Sequence, residues 1–314
     1  MEEDDLCSTP SGASLFRSER QADIVEALTD LSKPLRVLDF GSGKARTLSL
    51  LLERHPQLIP HVFDVSENYR EHWQQFVPPT QQASFSMPES WSQSFDLVLS
   101  FFALEHVERP AAFAAALRKL LRIGGRVILF VPDMYSNISD MIVVDHVNHF
   151  SHQSLDHVFR EAGFTDIAID SSTQPGWSIV QAQNDRGGLS TSTHSFPDQR
   201  EAAREIADRW TQLGERVRAL EVAHPARGRS AIYGSGVYGL FLATSMSEPT
   251  SLGCFLDRNP FRQGLRFFDV PVIDAADVPD TIEMVYVGIN PLFARGAVAQ
   301  CAALARRHRE YFFV

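Results

Sequence analysis

VLDFGSGKARTL, residues 37–48, runs from an apolar strand through a glycine turn into a helix. Gly41 and Gly43 let the chain turn sharply and let a ligand approach the backbone closely. Asp39 stands on the strand, and Ser42 lies between the glycines. A glycine loop alone says little; the order of the strands and helices around it says more. LRVLDF (35–40) is the first strand, and HVFDV (61–65) is a second that carries Asp64 near its end. An acid there is placed to accept hydrogen bonds from ribose hydroxyls. FDLVLSF (95–101) is a third strand, ending at Ser100 and Phe101. Apolar residues at helical spacing fill 111–122, and a Gly-Gly turn leads into the strand GRVILFV (125–131). EAGF (161–164) then introduces a short strand, TDIAID. Strands alternating with helices predict a parallel α/β sheet over residues 35–183, with helical residues 14–34 leading into it.

Composition narrows the class. Hydrophobic residues at 44% and charged residues at 22% describe a folded chain rather than a disordered one. A formal net charge of -10 argues against a nucleic-acid partner, since such binding neutralises phosphates with Lys and Arg. No apolar run reaches the roughly 20 residues that span a bilayer, and MEEDDLCSTPSG lacks the basic-then-apolar pattern of a secretory signal. The expected location is the cytoplasm. Cys7, Cys254 and Cys301 are widely spaced, so reduced thiols are expected rather than a zinc or disulfide framework. Oligomeric state is not readable.

The ordered pattern over 35–183 resembles the class I S-adenosylmethionine-dependent methyltransferases. The resemblance implies a Rossmann-like domain with S-adenosylmethionine as cofactor. It implies that Asp39, Gly41, Ser42 and Gly43 shape the methionine side and that Asp64 takes the ribose. It puts Phe85, Ser86 and Met87 near the adenine, and Phe101 at the cofactor end of its strand. The third glycine common in such loops is Ala45 here.

DHVNHFSHQSLDHVFREAGF (145–164) comes after the strand GRVILFVPD, on the side where open α/β sheets bind ligands. An imidazole that titrates near neutral pH suits a general base. His146, His149 and His152 recur every third residue without an HExxH arrangement, so no metal site is expected. His106, in ALEHV, reads as a feature of a helix start. Tyr135 and Asn137, just beyond the strand, are candidate acceptor contacts, and Tyr135 is also a reserve base.

NDRGGLSTSTHSFPD (184–198) reads as a linker, and 199–222 as a long helix. The region 229–314 then begins SAIYGSGVYG, with Gly234, Gly236 and Gly239 in a GxGxxG arrangement after a strand. LGCFLDRNP supplies a second strand ending on Asp257. Locally this is a dinucleotide fingerprint, so a nicotinamide-dependent oxidoreductase is the competing function, and a non-catalytic sensor or scaffold a third. About 85 residues leave little room for a dinucleotide domain together with its own substrate site.

The order of methyltransferase core, His segment, long helix and GSGVYG…FLDRNPFRQG…VPV…VGIN is similar to the nucleotide-sugar C-methyltransferase family. That likeness implies a second, smaller Rossmann-like domain that helps hold a sugar or nucleotide-sugar acceptor. It makes His146 the base that removes a proton beside a ketone, with Asp145 as its acid partner and Phe150 and Ser151 next in the motif. O- or N-transfer to a natural product or glycan is the alternative. The family's cysteine-rich zinc module has no counterpart here, Val143 stands where the family has Tyr, and Ile289-Asn290 replaces Trp-Asn. The expected organisation is an N-terminal arm or lid (1–34), the cofactor domain (35–183), a linker with a connecting helix (184–228) and an acceptor-binding domain (229–314). Arg258 and Arg262, beside the second glycine loop with Gly234 and Gly236, are candidates to pair with an acceptor phosphate.

Overall fold

The computed structural model describes residues 4–9, 13–185, 199–223, 228–305 and 309–314. They divide into two compact units: residues 17–140 with 144–197, and residues 1–16, 141–143 and 198–314.

The chain begins with an antiparallel hairpin, β1 (Leu6–Ser8) and β2 (Ser14–Phe16), which belongs to the second unit. The first unit opens with α1 (Arg17–Leu28), β3 (Arg36–Phe40), α2 (Arg46–Arg54), β4 (Ile59–Asp64) and α3 (Arg70–Trp73). It continues through β5 (Gln82–Ser84), β6 (Phe95–Phe101), α4 (Pro110–Leu120) and β7 (Leu121–Pro132). It closes with α5 (His152–Glu161), β8 (Thr165–Asp170) and β9 (Trp177–Gln183). Seven strands form one sheet in the order β5-β4-β3-β6-β7-β9-β8, parallel except where β9 runs against both of its neighbours. The central strands are apolar because helices cover both faces; Leu38, Val62, Val98 and Leu129 are fully buried. From β3 the chain winds outward through β4 and β5, then crosses to β6 on the other side. That reversal opens a crevice at the carboxyl ends of β3 and β6.

The second unit contains α6 (Gln199–Ala223), β10 (Ser230–Tyr233), α7 (Val237–Ser245), β11 (Cys254–Asp257), β12 (Arg266–Phe267) and β13 (Val270–Asp274). It ends with β14 (Met284–Val287), α8 (Pro291–Gln300), α9 (Ala302–Ala305) and β15 (Glu310–Phe313). The sheet order is β12-β13-β11-β10-β14-β15, parallel apart from β12, and it reverses in the same way between β10 and β14. The fold is therefore a Rossmann-like α/β unit succeeded by a smaller one.

Two expectations change. The arm 1–34 is not one element. Its hairpin lies against the rest of the second unit, where Phe16 sits 5.6 Å from the Phe261 ring and Asn259 Nδ2 donates to the Asp4 carbonyl at 2.9 Å. Its helix α1 belongs to the first unit, where Arg20 Nε donates to Gln174 Oε1 at 2.9 Å. The long helix 199–223 is not a bare connector: it buries Ile206, Trp210, Leu213 and Val217, and Trp210 meets Phe241 of α7 at 4.5 Å. Residues 186–198 of the expected linker lie outside the described residues. Among the described residues no helix is long and apolar enough to cross a membrane, and no disulfide joins Cys7, Cys254 and Cys301.

Candidate active site

The glycine loop is built by donating backbone to the neighbouring strand. The amides of Gly41 and Ser42 both donate to the Phe63 carbonyl, at 2.9 and 3.0 Å. The Gly43 amide donates to Asp64 Oδ2 at 2.8 Å, and Trp73 Nε1 of α3 donates to the Gly43 carbonyl at 2.7 Å. Gly41 has φ +74°, and a Cβ there would lie 2.8 Å from the Ala103 methyl. Ala45 holds φ 53° at the start of α2, a left-handed conformation that costs a non-glycine residue about 1–2 kcal/mol. The site thus retains at Ala45 the backbone that a third glycine would take without strain.

This loop has unfilled bonding capacity. Asp39 is buried, its Oδ1 lacks a partner, and burial together with the charge of Asp64 raises its carboxyl well above the usual range. Ser42 Oγ is likewise buried without a partner. A Cβ at Gly43 would meet nothing within 4 Å, so the loop presents an open cradle. Asp64 Oδ1 accepts from the Ser66 amide at 3.1 Å, and a carboxylate has acceptor positions beyond these two bonds. Ser84 Oγ, ending β5, is a further buried orphan. Met87 packs on the core, and Phe85 is exposed with φ 63°. Phe101 lies 5.1 Å from Phe130 at the end of β6. The next residue, Phe102, holds φ 53° with Arg17 over its ring at 5.4 Å, a strained bulky residue of the kind that marks functional sites.

Beyond β7, Asp133 organises the turn that carries Tyr135 and Asn137. Its Oδ1 accepts from the amides of Tyr135 and Ser136, and its Oδ2 from the hydroxyls of Ser171 and Ser178. Burial alone would raise the Asp133 carboxyl; these bonds hold it below its usual value. Tyr135 is exposed, and Asn137 Oδ1 accepts from Ser139 Oγ at 2.8 Å.

The histidines are placed by a residue that sequence adjacency does not indicate. His146 Nδ1 is 2.6 Å from Asp140 Oδ1, and His149 Nδ1 is 2.8 Å from Asp140 Oδ2. Asp140 is 1% exposed, so one buried carboxylate orients both imidazoles by the same nitrogen. Burial pulls the His146 imidazole down, but the bond and charge of Asp140, with Glu105 and Asp145, outweigh it and raise His146 above its ordinary value. Asp145 is not its partner: that side chain is exposed and lies 3.5 Å from His106 Nδ1. His106 is more than a helix-start feature, because its ring meets that of His146 edge-on at 4.8 Å. Beneath them Glu105 is 1% exposed with neither carboxylate oxygen bonded; burial pushes it up to about 8. His152 lies apart, bonded to Ser171 Oγ at 2.6 Å. The three-residue spacing therefore does not gather the histidines into one cluster.

The second glycine loop uses its acid in the same manner. Asp257 Oδ2 accepts from the Ser235 amide at 2.9 Å and from its hydroxyl at 2.5 Å. Gly234 and Gly239 are packing positions: a Cβ on Gly239 would lie 1.9 Å from the Gly234 carbonyl oxygen. Gly236 begins α7 with open space around it. The two arginines expected to meet a phosphate are engaged elsewhere. Arg258 donates to Ser14 Oγ, and Arg262 pairs with Asp5 at 2.9 Å. Asp5, just before β1, gives Arg262 the counter-charge that a phosphate was expected to bring, and Arg258 is held by a neutral hydroxyl.

Comparison with known proteins finds matches to part of the chain. Residues 15–169 match the family described as "Methyltransferase domain". A curated trans-aconitate 2-methyltransferase from Acidovorax ebreus (strain TPSY) is 32% identical over 124 residues, covering 38% of this chain and 47% of that protein. The chain thus aligns with about half the length of that relative. Among solved structures, a methyltransferase from Mesorhizobium loti covers 52% of this chain and 97% of its own, at 16% identity and TM-score 0.41. One from Archaeoglobus fulgidus covers 53% and 94%, at 14% identity and TM-score 0.44. Residues 15–169 thus match a methyltransferase domain, and S-adenosylmethionine is the cofactor that the match implies.

Proposed function

We propose that the protein methylates a sugar or nucleotide-sugar acceptor whose proton is taken by an imidazole held on Asp140. The observation that carries this is the buried carboxylate bonded to the Nδ1 atoms of both His146 and His149. A carboxylate on Nδ1 fixes the tautomer and leaves Nε2 to accept a proton, the logic of a catalytic triad. Asp140 thereby takes the role that the sequence resemblance gave to Asp145.

S-adenosylmethionine brings a methyl group already activated on a sulfonium. The chain's residues must bind it, align the acceptor and exclude water. Asp39, Ser42 and the Gly43 cradle fit its polar groups, and Asp64 has capacity for ribose hydroxyls. A carbon or hydroxyl acceptor needs a base. A carboxylate acceptor, the chemistry in the relative's name, is already ionised at neutral pH and needs none. The oriented imidazoles therefore favour an acceptor that must lose a proton, as a sugar hydroxyl or the carbon beside a sugar ketone must, over a carboxylate.

The test is a mass-spectrometric screen for a one-methyl gain on nucleotide-sugars, with trans-aconitate in the same panel. Asp140→Asn should lower turnover by about 10²–10⁴-fold with S-adenosylmethionine affinity intact. Methylation of trans-aconitate at undiminished rate by that variant would overturn the base and the sugar acceptor together.

A further inference from the structure

Glu105 presents a problem that the methyl-transfer reading leaves unsolved. It is 1% exposed, and neither carboxylate oxygen has a hydrogen-bond partner. Burying a carboxyl group unpaired is costly, and a native orphan of this kind calls for a missing partner. His106 and His146 lie beside it, and the Arg17 guanidinium and the Asp140 carboxylate are near enough to act on its charge. One ligand atom each from Glu105, His106 and His146 lies within 4.8 Å of the other two.

Both imidazoles are anchored by the same ring atom. His106 Nδ1 lies 3.0 Å from the Asp145 carbonyl oxygen, and His146 Nδ1 lies 2.6 Å from Asp140 Oδ1. Each acceptor calls for a proton on Nδ1 and so puts the lone pair on Nε2. Histidines that bind metals through one nitrogen characteristically donate from the other to a carboxylate or backbone carbonyl. The outer contacts of a metal site are therefore present, one of each type. With metal–ligand bonds of roughly 2.0–2.1 Å, ligand atoms around a tetrahedral ion lie about 3.4 Å apart. The trio reaches that spacing by closing about 1.4 Å or less along its longest edge, which rotation of the side chains supplies.

We propose that Glu105, His106 and His146 bind a divalent transition-metal ion of the zinc type. Two imidazoles and one carboxylate suit such an ion and leave at least one coordination position open. The site lies just past the carboxyl end of β6, where an acceptor oxygen can occupy that position. The metal would lower the pKa of a bound hydroxyl or polarise a ketone, and the proton would pass to His149, the second imidazole on Asp140. This role rests on the methyl-transfer reading; the existence of the site does not.

The experiment uses the tag-free full chain, stripped with a chelator and titrated with Co²⁺ and separately with Zn²⁺. Calorimetry measures binding, and the visible absorption of Co²⁺ reports its ligands. One equivalent should bind, with an absorption band of four- or five-coordinate cobalt. Glu105→Gln and His106→Asn should each weaken binding at least about tenfold, and Asp140→Asn by about 10–100-fold. His157→Ala, an exposed histidine on α5, should leave binding unchanged. Titration of every variant with S-adenosylmethionine establishes that it is folded. A chain that binds S-adenosylmethionine but no stoichiometric metal overturns the site alone. So does metal binding that survives both Glu105→Gln and His106→Asn. A chain that binds metal but not S-adenosylmethionine overturns the methyl-transfer reading and leaves the metal site standing.

Discussion

The molecule contains two glycine loops of nearly the same construction. Each succeeds the central strand of a parallel sheet, and each is braced by the acid that ends the next strand: Asp64 on Gly43, Asp257 on Ser235. They differ in what is left over. The first loop carries buried polar atoms without partners, Asp39 Oδ1 and Ser42 Oγ, around an open Gly43. In the second, Gly239 makes room for the Gly234 carbonyl and Gly234 for the Gly288 carbonyl, and the adjacent arginines are held by Ser14 and Asp5. Glycine spacing reports that a chain turns tightly and packs closely. Unsatisfied polar atoms around the turn are what identify a ligand.

The strongest test of this contrast is Gly239→Ala. Its Cβ would fall 1.9 Å from a backbone oxygen that has no side chain to move aside, so the second unit should lose about 3 kcal/mol or more. Calorimetric S-adenosylmethionine affinity should not change. Loss of that affinity would mean that the two loops do not act separately.

The paired acids come next. Asp64→Ala should weaken S-adenosylmethionine binding by about 1–3 kcal/mol, roughly 5–150-fold, whereas Asp257→Ala should leave it unaltered. Equal effects from the two variants would break the comparison.

Gly43→Ala is gentler. The added methyl meets nothing in the unliganded loop, and φ +49° strains alanine by about 1–2 kcal/mol. Thermal melting should fall slightly and affinity should fall more, because the cradle is where the ligand approaches. A variant that loses stability alone would show that Gly43 serves the turn and not the cofactor.

The smallest effect sharpens the first unit. His61 is buried between Trp91 and Phe95; burial and the Arg36 charge push its imidazole down to about 4, against a weaker backbone bond that raises it. Between an ordinary value near 6.5 and about 4, the unfolded chain binds a proton that the folded unit refuses. Stability is therefore present above pH 6.5 and declines as pH falls toward 4. The melting transition that S-adenosylmethionine raises should drop as pH is lowered from 7 to 5. His61→Phe should reduce that drop by roughly 2–4 °C. An unchanged slope would place the acid sensitivity elsewhere.

The first loop was legible in the sequence because its signal is local. Gly41, Gly43 and Asp64 act through backbone turns and a strand end, and the order of strands and helices determines which edge of the sheet they reach. Both Rossmann-like units result from that order. The histidine cluster was legible only as a set of candidates. Adjacency pointed from His146 to Asp145, but neighbouring side chains in an extended segment face opposite ways, and Asp145 turns to His106 instead. The orienting acid is Asp140, brought round by the turn at Ile138–Ile142.

What the sequence determined by itself is thus the pair of nucleotide-type folds, since hydrophobic alternation, glycine turns and strand-end acids are short-range patterns that require no knowledge of distant contacts. The tertiary structure alone decided three things: that one carboxylate holds two imidazoles, that Glu105 is buried unpaired beneath two of the histidines, and that Asp5 and Ser14 take the arginines of the second loop. Each depends on residues brought together across loops, where burial and competing charge select partners that spacing along the chain cannot specify.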